Sequence, residues 1–166
     1  MAVLDILKYP DEALKQMSEP VEAFDDELLA FLADLEETMR AGPGGVGIAA
    51  PQVGDFRRIA IVDVSAKPKI KHNGCMILIN PEIKTWDGMK VGREGCMSVP
   101  DYTGNVIRAE KITLQAMNSQ GDLLDFECLG YEARAVQHEL DHLDGLLFLD
   151  RLVSRRTDLF KRKVYK

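Results

Sequence analysis

Gln137-His138-Glu139-Leu140-Asp141-His142 sets two histidines four residues apart, with a glutamate directly after the first. On a helix that spacing is one turn along a single face, so both imidazoles can reach one cation. Glu139 projects about 100° away, close enough to hold a water on that cation but not aimed as a ligand. Two neutral nitrogen ligands, a carboxylate base and coordination positions left for solvent and substrate are what a metallohydrolase requires. The bland alternative is a polar helix face, since short patterns of this kind recur by chance. The spacing predicts a helix that opens at Gly130, buries Val136, Leu140 and Leu143, and stops at Gly145.

An open catalytic site takes three protein ligands. Downstream of His142 there is no histidine, cysteine or glutamate. Position 148, where one protease pattern places a third histidine, is Phe148, and only Asp144, Asp150 and Asp158 remain. The third ligand is therefore expected upstream, among Cys75, Cys96 and Cys128. Cys96 is the best of these because it lies in the short polar, glycine-flanked segment Gly92-Arg93-Glu94-Gly95-Cys96-Met97-Ser98-Val99-Pro100. Cys75 opens the apolar run Cys75-Met76-Ile77-Leu78-Ile79 and reads as a small buried hydrophobe. Cys128, at the edge of a strand, is a lesser candidate. One cysteine, two histidines and a water make a recognised open tetrahedral site. Glu94 is either an acceptor for the outer N–H of a ligating histidine or a solvated strand-end charge.

Further upstream, Gly42-Pro43-Gly44-Gly45-Val46-Gly47 cannot be regular structure, because four glycines in six residues permit conformations and close approaches that side chains block. Three readings stand: a flexible loop, a phosphate cradle, and a backbone wall facing a substrate. No Lys-Ser/Thr follows the glycines, which weakens the second. Gln52 supports the third, since an amide N–H can donate to an oxygen that gains negative charge.

The remaining chain supplies a scaffold. Asp25 to Arg40 carries Leu28, Phe31, Leu32, Leu35 and Met39 at helical spacing, with acids at its start and Gly42-Pro43 beyond its end. A short helix start is read at Pro10-Asp11-Glu12-Ala13-Leu14, and strands at Arg58 to Val64 and Lys111 to Met117. Asn73-Gly74 and Trp86-Asp87-Gly88-Met89 signal hairpins, and Ser119-Gln120-Gly121-Asp122 a turn. His72, beside the first of these, reads as solvated. Asp150 to the end reads as a last helix with Leu152, Leu159 and Val164 apolar. The expected fold is α+β: antiparallel strands and hairpins around a central metal-binding helix, flanked by an N-terminal amphipathic helix and a C-terminal helix.

The 166 residues are 46% hydrophobic and suit one domain spanning 1–166 with a real core. No apolar stretch of about 18 residues and no basic-then-apolar N-terminus is present, so neither a membrane span nor a secretory signal is expected, and the cytoplasm is. Three cysteines without a closely spaced framework fit free thiols in a reducing compartment. A net charge of −6 disfavours a general nucleic-acid binder. The charge is uneven: from Arg151 onward seven basic residues face the single acid Asp158. That tail is either a solvated helix or a surface that docks on ribosomal RNA.

Three motifs in order resemble the peptide deformylases: Gly45-Val46-Gly47-Ile48-Ala49-Ala50-Pro51-Gln52, then Glu94-Gly95-Cys96-Met97-Ser98, then His138-Glu139-Leu140-Asp141-His142. The similarity extends to Val3-Leu4 through Pro10-Asp11 and to the overall length. Met97 departs from the leucine often found after the cysteine. The resemblance implies that this position works through its backbone N–H, so the change should leave the chemistry intact. It also implies a hydrolase that removes the formyl group from N-formyl-methionyl nascent chains. In that reading Cys96, His138 and His142 hold iron(II), for which zinc or another divalent ion can substitute. Glu139 acts as general base on a metal-held water, and Gln52 and Met97 donate to the oxyanion. Gly45, Val46, Gly47 and Gly95 are then expected to flank the peptide like neighbouring strands. Tyr131, Arg134 and Ala135, one and two turns before His138, are expected to wall the methionine pocket. A zinc endopeptidase and a structural Cys-His-His module are the competing readings.

Overall fold

The computed structural model describes residues 2–42, 45–154 and 157–161. Among the described residues, two α-helices and eight strands build an α+β fold in which every strand pairing is antiparallel. Helix α1 spans Asp26–Ala41, and Asp25 caps it by accepting from the Leu28 N–H at 3.0 Å. Strands β1 (Gly47–Ala49), β2 (Ile59–Val62), β3 (Met76–Asp87), β6 (Lys111–Met117) and β7 (Leu123–Leu129) form a sheet in the order β1-β2-β3-β6-β7. Strands β4 (Lys90–Cys96), β5 (Val99–Arg108) and β8 (Leu159–Lys161) form a second sheet. Helix α2 spans Gly130–Leu143.

The larger sheet lies between the helices, and strand alternation assigns its side chains. Ala60 and Val62 of β2 join Val136, Leu140 and Leu143 of α2 in one core. Ile59 and Ile61 of the same strand join Leu28, Leu32, Leu35 and Met39 of α1 in another. All four β2 residues are buried, as a strand covered on both faces must be. A third core of Leu14, Val99, Val106, Leu147 and Phe148 packs the smaller sheet against the N-terminal segment and the residues that follow α2. Among the described residues, no helix is long and apolar enough to cross a membrane.

Four expectations need correction. The chain from Asp150 onward is not a helix where it is described: a single 3-10 turn at Phe148–Arg151 is followed by β8, which pairs Leu159 with Gly104 and Lys161 with Tyr102. Arg155, Arg156 and 162–166, which held most of the basic charge, lie outside the described residues. Trp86-Asp87-Gly88-Met89 turns the chain, but β3 and β4 do not pair; the turn carries the chain from one sheet to the other. Cys75 is exposed rather than buried, just before β3, with its Sγ 3.6 Å from Glu36 Oε1. At Asn73-Gly74 the chain does return antiparallel, yet at the end of a long connection, 63–75, rather than in a tight hairpin.

Candidate metal centre

Helix α2 brings His138 and His142 to one face, with ring centroids 5.2 Å apart. Strand β4 delivers Cys96 opposite them. The ligand atoms of Cys96, His138 and His142 lie within 4.8 Å of one another, and Cys96 Sγ is 3.4 Å from His142 Nε2. All three residues are buried. Cys128 sits in β7 outside this group, and burial pushes its thiol up to about 12. Phe148, at the position where a third histidine was sought, stacks on His138 with centroids 6.4 Å apart. It closes that side with apolar surface instead of a ligand.

Each histidine is held differently. His138 Nδ1 is 2.9 Å from Glu94 Oε1, which leaves Nε2 for the cluster. Glu94 is itself saturated: Arg108 donates to both oxygens at 2.9 Å and Arg134 to Oε2 at 2.7 Å. Burial raises the Glu94 carboxyl, but the Arg108 and His138 donors outweigh it and hold it well below the usual carboxylate range. Arg108 also pairs with Asp141, which Arg151 binds in turn at 3.0 and 3.2 Å. His142 Nδ1 is buried without a protein hydrogen-bond partner among the described residues.

The donor set fits a divalent cation. Burial, with His138 and Arg108 nearby, keeps His142 neutral, the form that ligates. Burial lowers His138, but Glu139, Cys96 and Glu94 more than reverse it, so this ring holds a proton unusually tightly. The negative surroundings that retain that proton attract a metal ion in its place.

Glu139 lies one residue along from His138 in the opposite condition to Glu94. Its Oε1 is buried with no hydrogen-bond partner among the described residues. Burial above all, with the Glu94 charge adding and His138 opposing, pushes it up to about 7. The backbone of β1 presses against it, since a Cβ on Gly47 would meet Glu139 Oε2 at 2.5 Å. The glycine there provides close approach.

These groups open onto a cavity of about 1010 Å³. Gly45, Val46 and Gly47 line one side and Gly95 and Met97 another, with Gln52 between; Tyr131, Arg134 and Ala135 form the helix wall. The expected residues therefore come together, with His142 buried behind His138. Gln52 is buried, and its Nε2 is 3.5 Å from Cys96 Sγ.

Residues 3–158 match the sequence profile of a family described as polypeptide deformylase. The chain belongs to the polypeptide deformylase family. A peptide deformylase from Thermodesulfovibrio yellowstonii is 39% identical over 163 residues, which cover 98% of this chain and 97% of that protein. The crystal structure of peptide deformylase from Thermotoga maritima superposes with a TM-score of 0.85 at 36% identity, over 93% of this chain and 100% of the other. A class I type b peptide deformylase from Acinetobacter baumannii, solved with Met-Ala-Ser bound, gives a TM-score of 0.84 at 37% identity over 91% and 99%.

Against this deformylase fold, four polar residues stand out that sequence reasoning left unmarked. Arg108 and Asp141 complete the charge network behind His138. Asp141 had a readable signal, since it falls three residues after His138 on the same helix side. Arg108 had none, because its partners are 14 and 33 residues away. Gln137 clamps α2 to the β5–β6 turn, accepting from the Ala109 N–H at 3.0 Å and donating to the Ala109 carbonyl at 2.9 Å. Ser98, inside the cysteine motif, accepts from Gln52 Nε2 at 3.1 Å.

Proposed function

We propose that this chain hydrolyses the formyl group from the N-terminal methionine of newly made polypeptides, releasing formate and a free amine. The single observation that carries the reading is the meeting of Cys96, His138 and His142 beside Glu139, whose buried Oε1 has no partner among the described residues, at a peptide-sized cavity. Family membership and the Met-Ala-Ser complex of the Acinetobacter relative support the substrate, because that peptide has the form of a deformylated product.

Cys96 Sγ, His138 Nε2 and a ring nitrogen of His142 would hold the cation, which when bound supplies Lewis acidity and an acidified water. Glu139 takes the proton of the attacking water and returns it to the amine nitrogen as the formyl C–N bond breaks. The Gln52 side-chain N–H and the Met97 backbone N–H stabilise the oxygen that gains charge, each on the order of 3 kcal/mol. Gly45, Val46, Gly47 and Gly95 orient the peptide backbone, and Tyr131, Arg134 and Ala135 bound the methionine pocket. Iron(II) is the proposed ion on the ground of the family resemblance; one thiolate and two imidazoles accept it as they accept zinc. The reaction belongs to the cytoplasm, where nascent chains emerge. Docking on the ribosome through the basic C-terminal residues is the proposed delivery route. Arg151 is exposed while paired with Asp141 at 3.0 Å.

Protein purified without oxygen should release formate from a formyl-methionyl tripeptide and leave casein intact, with iron as the bound metal. Cleavage of casein, or no formate, would overturn the reading; full activity with zinc alone would overturn the choice of ion.

A further inference from the structure

The Gln52 carboxamide is anchored at both of its polar atoms. Oε1 accepts from the Ala49 N–H at 3.0 Å, while Nε2 donates to Ser98 Oγ at 3.1 Å and lies 3.5 Å from Cys96 Sγ. Both residues are buried, Gln52 at 1% and Ser98 at 0% exposure. The N-terminal segment ties their backbones down as well: the Leu7 N–H donates to the Gln52 carbonyl at 2.7 Å and the Tyr9 N–H to the Ser98 carbonyl at 2.6 Å. A primary amide offers two N–H groups. With one engaged by Ser98, the other is directed at the cysteine sulfur and the space beside it.

We propose that Ser98 is a positioning residue, whose hydroxyl fixes the Gln52 carboxamide so that one defined N–H faces Cys96 and the reacting oxygen. The terminal torsion of glutamine is broad and roughly two-fold, so without Ser98 the amide keeps only its Oε1 bond to Ala49 and the long contact to sulfur, and Nε2 gains room to turn. A donor counts in the transition state only while it points at the developing charge. Ser98 is not among the described residues that line the cavity, so its removal is expected to change kcat more than KM. The kinetic part of this inference rests on the deformylase reading; the contact with sulfur does not.

The test compares Ser98→Ala, Gln52→Ala and the double variant. In the metal-loaded enzyme Ser98→Ala should lower kcat about tenfold with KM within about twofold, Gln52→Ala should lower kcat about a hundredfold, and the double variant should match Gln52→Ala alone. In the cobalt(II)-loaded protein the sulfur-to-metal charge-transfer band should move to lower energy in Gln52→Ala and part of the way in Ser98→Ala, because the sulfur loses a hydrogen bond. Ser98→Thr, which keeps the hydroxyl, should restore both readouts. Should Ser98→Ala fail to fold, Ser98→Cys, a weaker acceptor of similar shape, carries the same comparison. Additive losses in the double variant, a wild-type kcat in Ser98→Ala, or a band that moves for Gln52 but not for Ser98 would overturn the proposal. A wild-type protein that releases no formate would instead contradict the deformylase reading, and the cobalt band alone would then decide the role of Ser98.

Discussion

Two carboxylates sit against the same turn of α2, and their surroundings are opposite. On the β4–β5 side, Glu94 accepts four hydrogen bonds, from His138, Arg108 and Arg134. On the β1 side, Glu139 has an oxygen with no partner among the described residues and is raised to about 7. Saturation keeps Glu94 an anion that orients the His138 ring. Destabilised ionisation leaves Glu139 able to give and take a proton near neutrality. One helix turn thus presents a holding side and a reacting side, and the difference lies in donors rather than in residue type.

The sharpest way to break this contrast is Glu139→Gln. The expected loss in kcat is about a thousandfold or more, with metal content unchanged by elemental analysis. Retained turnover would remove the reacting side. Glu94→Gln should act on the other side, lowering metal affinity about ten- to a hundredfold in a chelator competition. It should also cost about 3 kcal/mol in denaturant unfolding, because Arg108 is left buried without its main partner.

The pH dependence of metal-stripped protein separates the two by sign. A carboxyl raised to about 7 from an ordinary 4.5 binds its proton more tightly when folded, so its contribution to stability is full below 4.5 and is lost as pH rises to about 7. That loss is at most about 3 kcal/mol and should vanish in Glu139→Gln. Glu94, held below the usual range, contributes stability above pH 4.5 that disappears as the solution is acidified. The smallest effect is expected from Gly47→Ala. Its new methyl group must displace the Glu139 carboxyl, lowering kcat about tenfold while the thermal midpoint stays within a few degrees.

Much of the reacting side was legible in the chain, because it is written at helical spacing. His138, Glu139 and His142 are fixed relative to one another by the helix alone, and the stripe Val136, Leu140 and Leu143 says which face is buried. Cys96 was preferred among three cysteines for its polar, glycine-flanked segment and by the family resemblance. The holding side was far less visible. Glu94 left two readings open, and Arg108 was an unremarkable residue at the end of β5 until pairing with β4 brought it to Glu94. The same limit explains the misread C-terminus. Leu152 and Leu159 fall at spacings a helix would use, yet Leu152 bridges to Val106 and Leu159 pairs with Gly104. An edge strand of three residues exists only because β5 offers it partners, and no local pattern encodes that. The turn at 86–89 was recognisable, but a turn signal does not say whether the strands it joins pair with each other.

The central claim is tested most directly by anomalous scattering at the metal edge, from crystals grown without oxygen. One peak per chain is expected, about 2.3 Å from Cys96 Sγ and about 2.1 Å from a nitrogen of His138 and of His142, with Glu139 outside bonding distance. A peak away from these three atoms, or one whose sphere is closed by a fourth protein ligand, would contradict it.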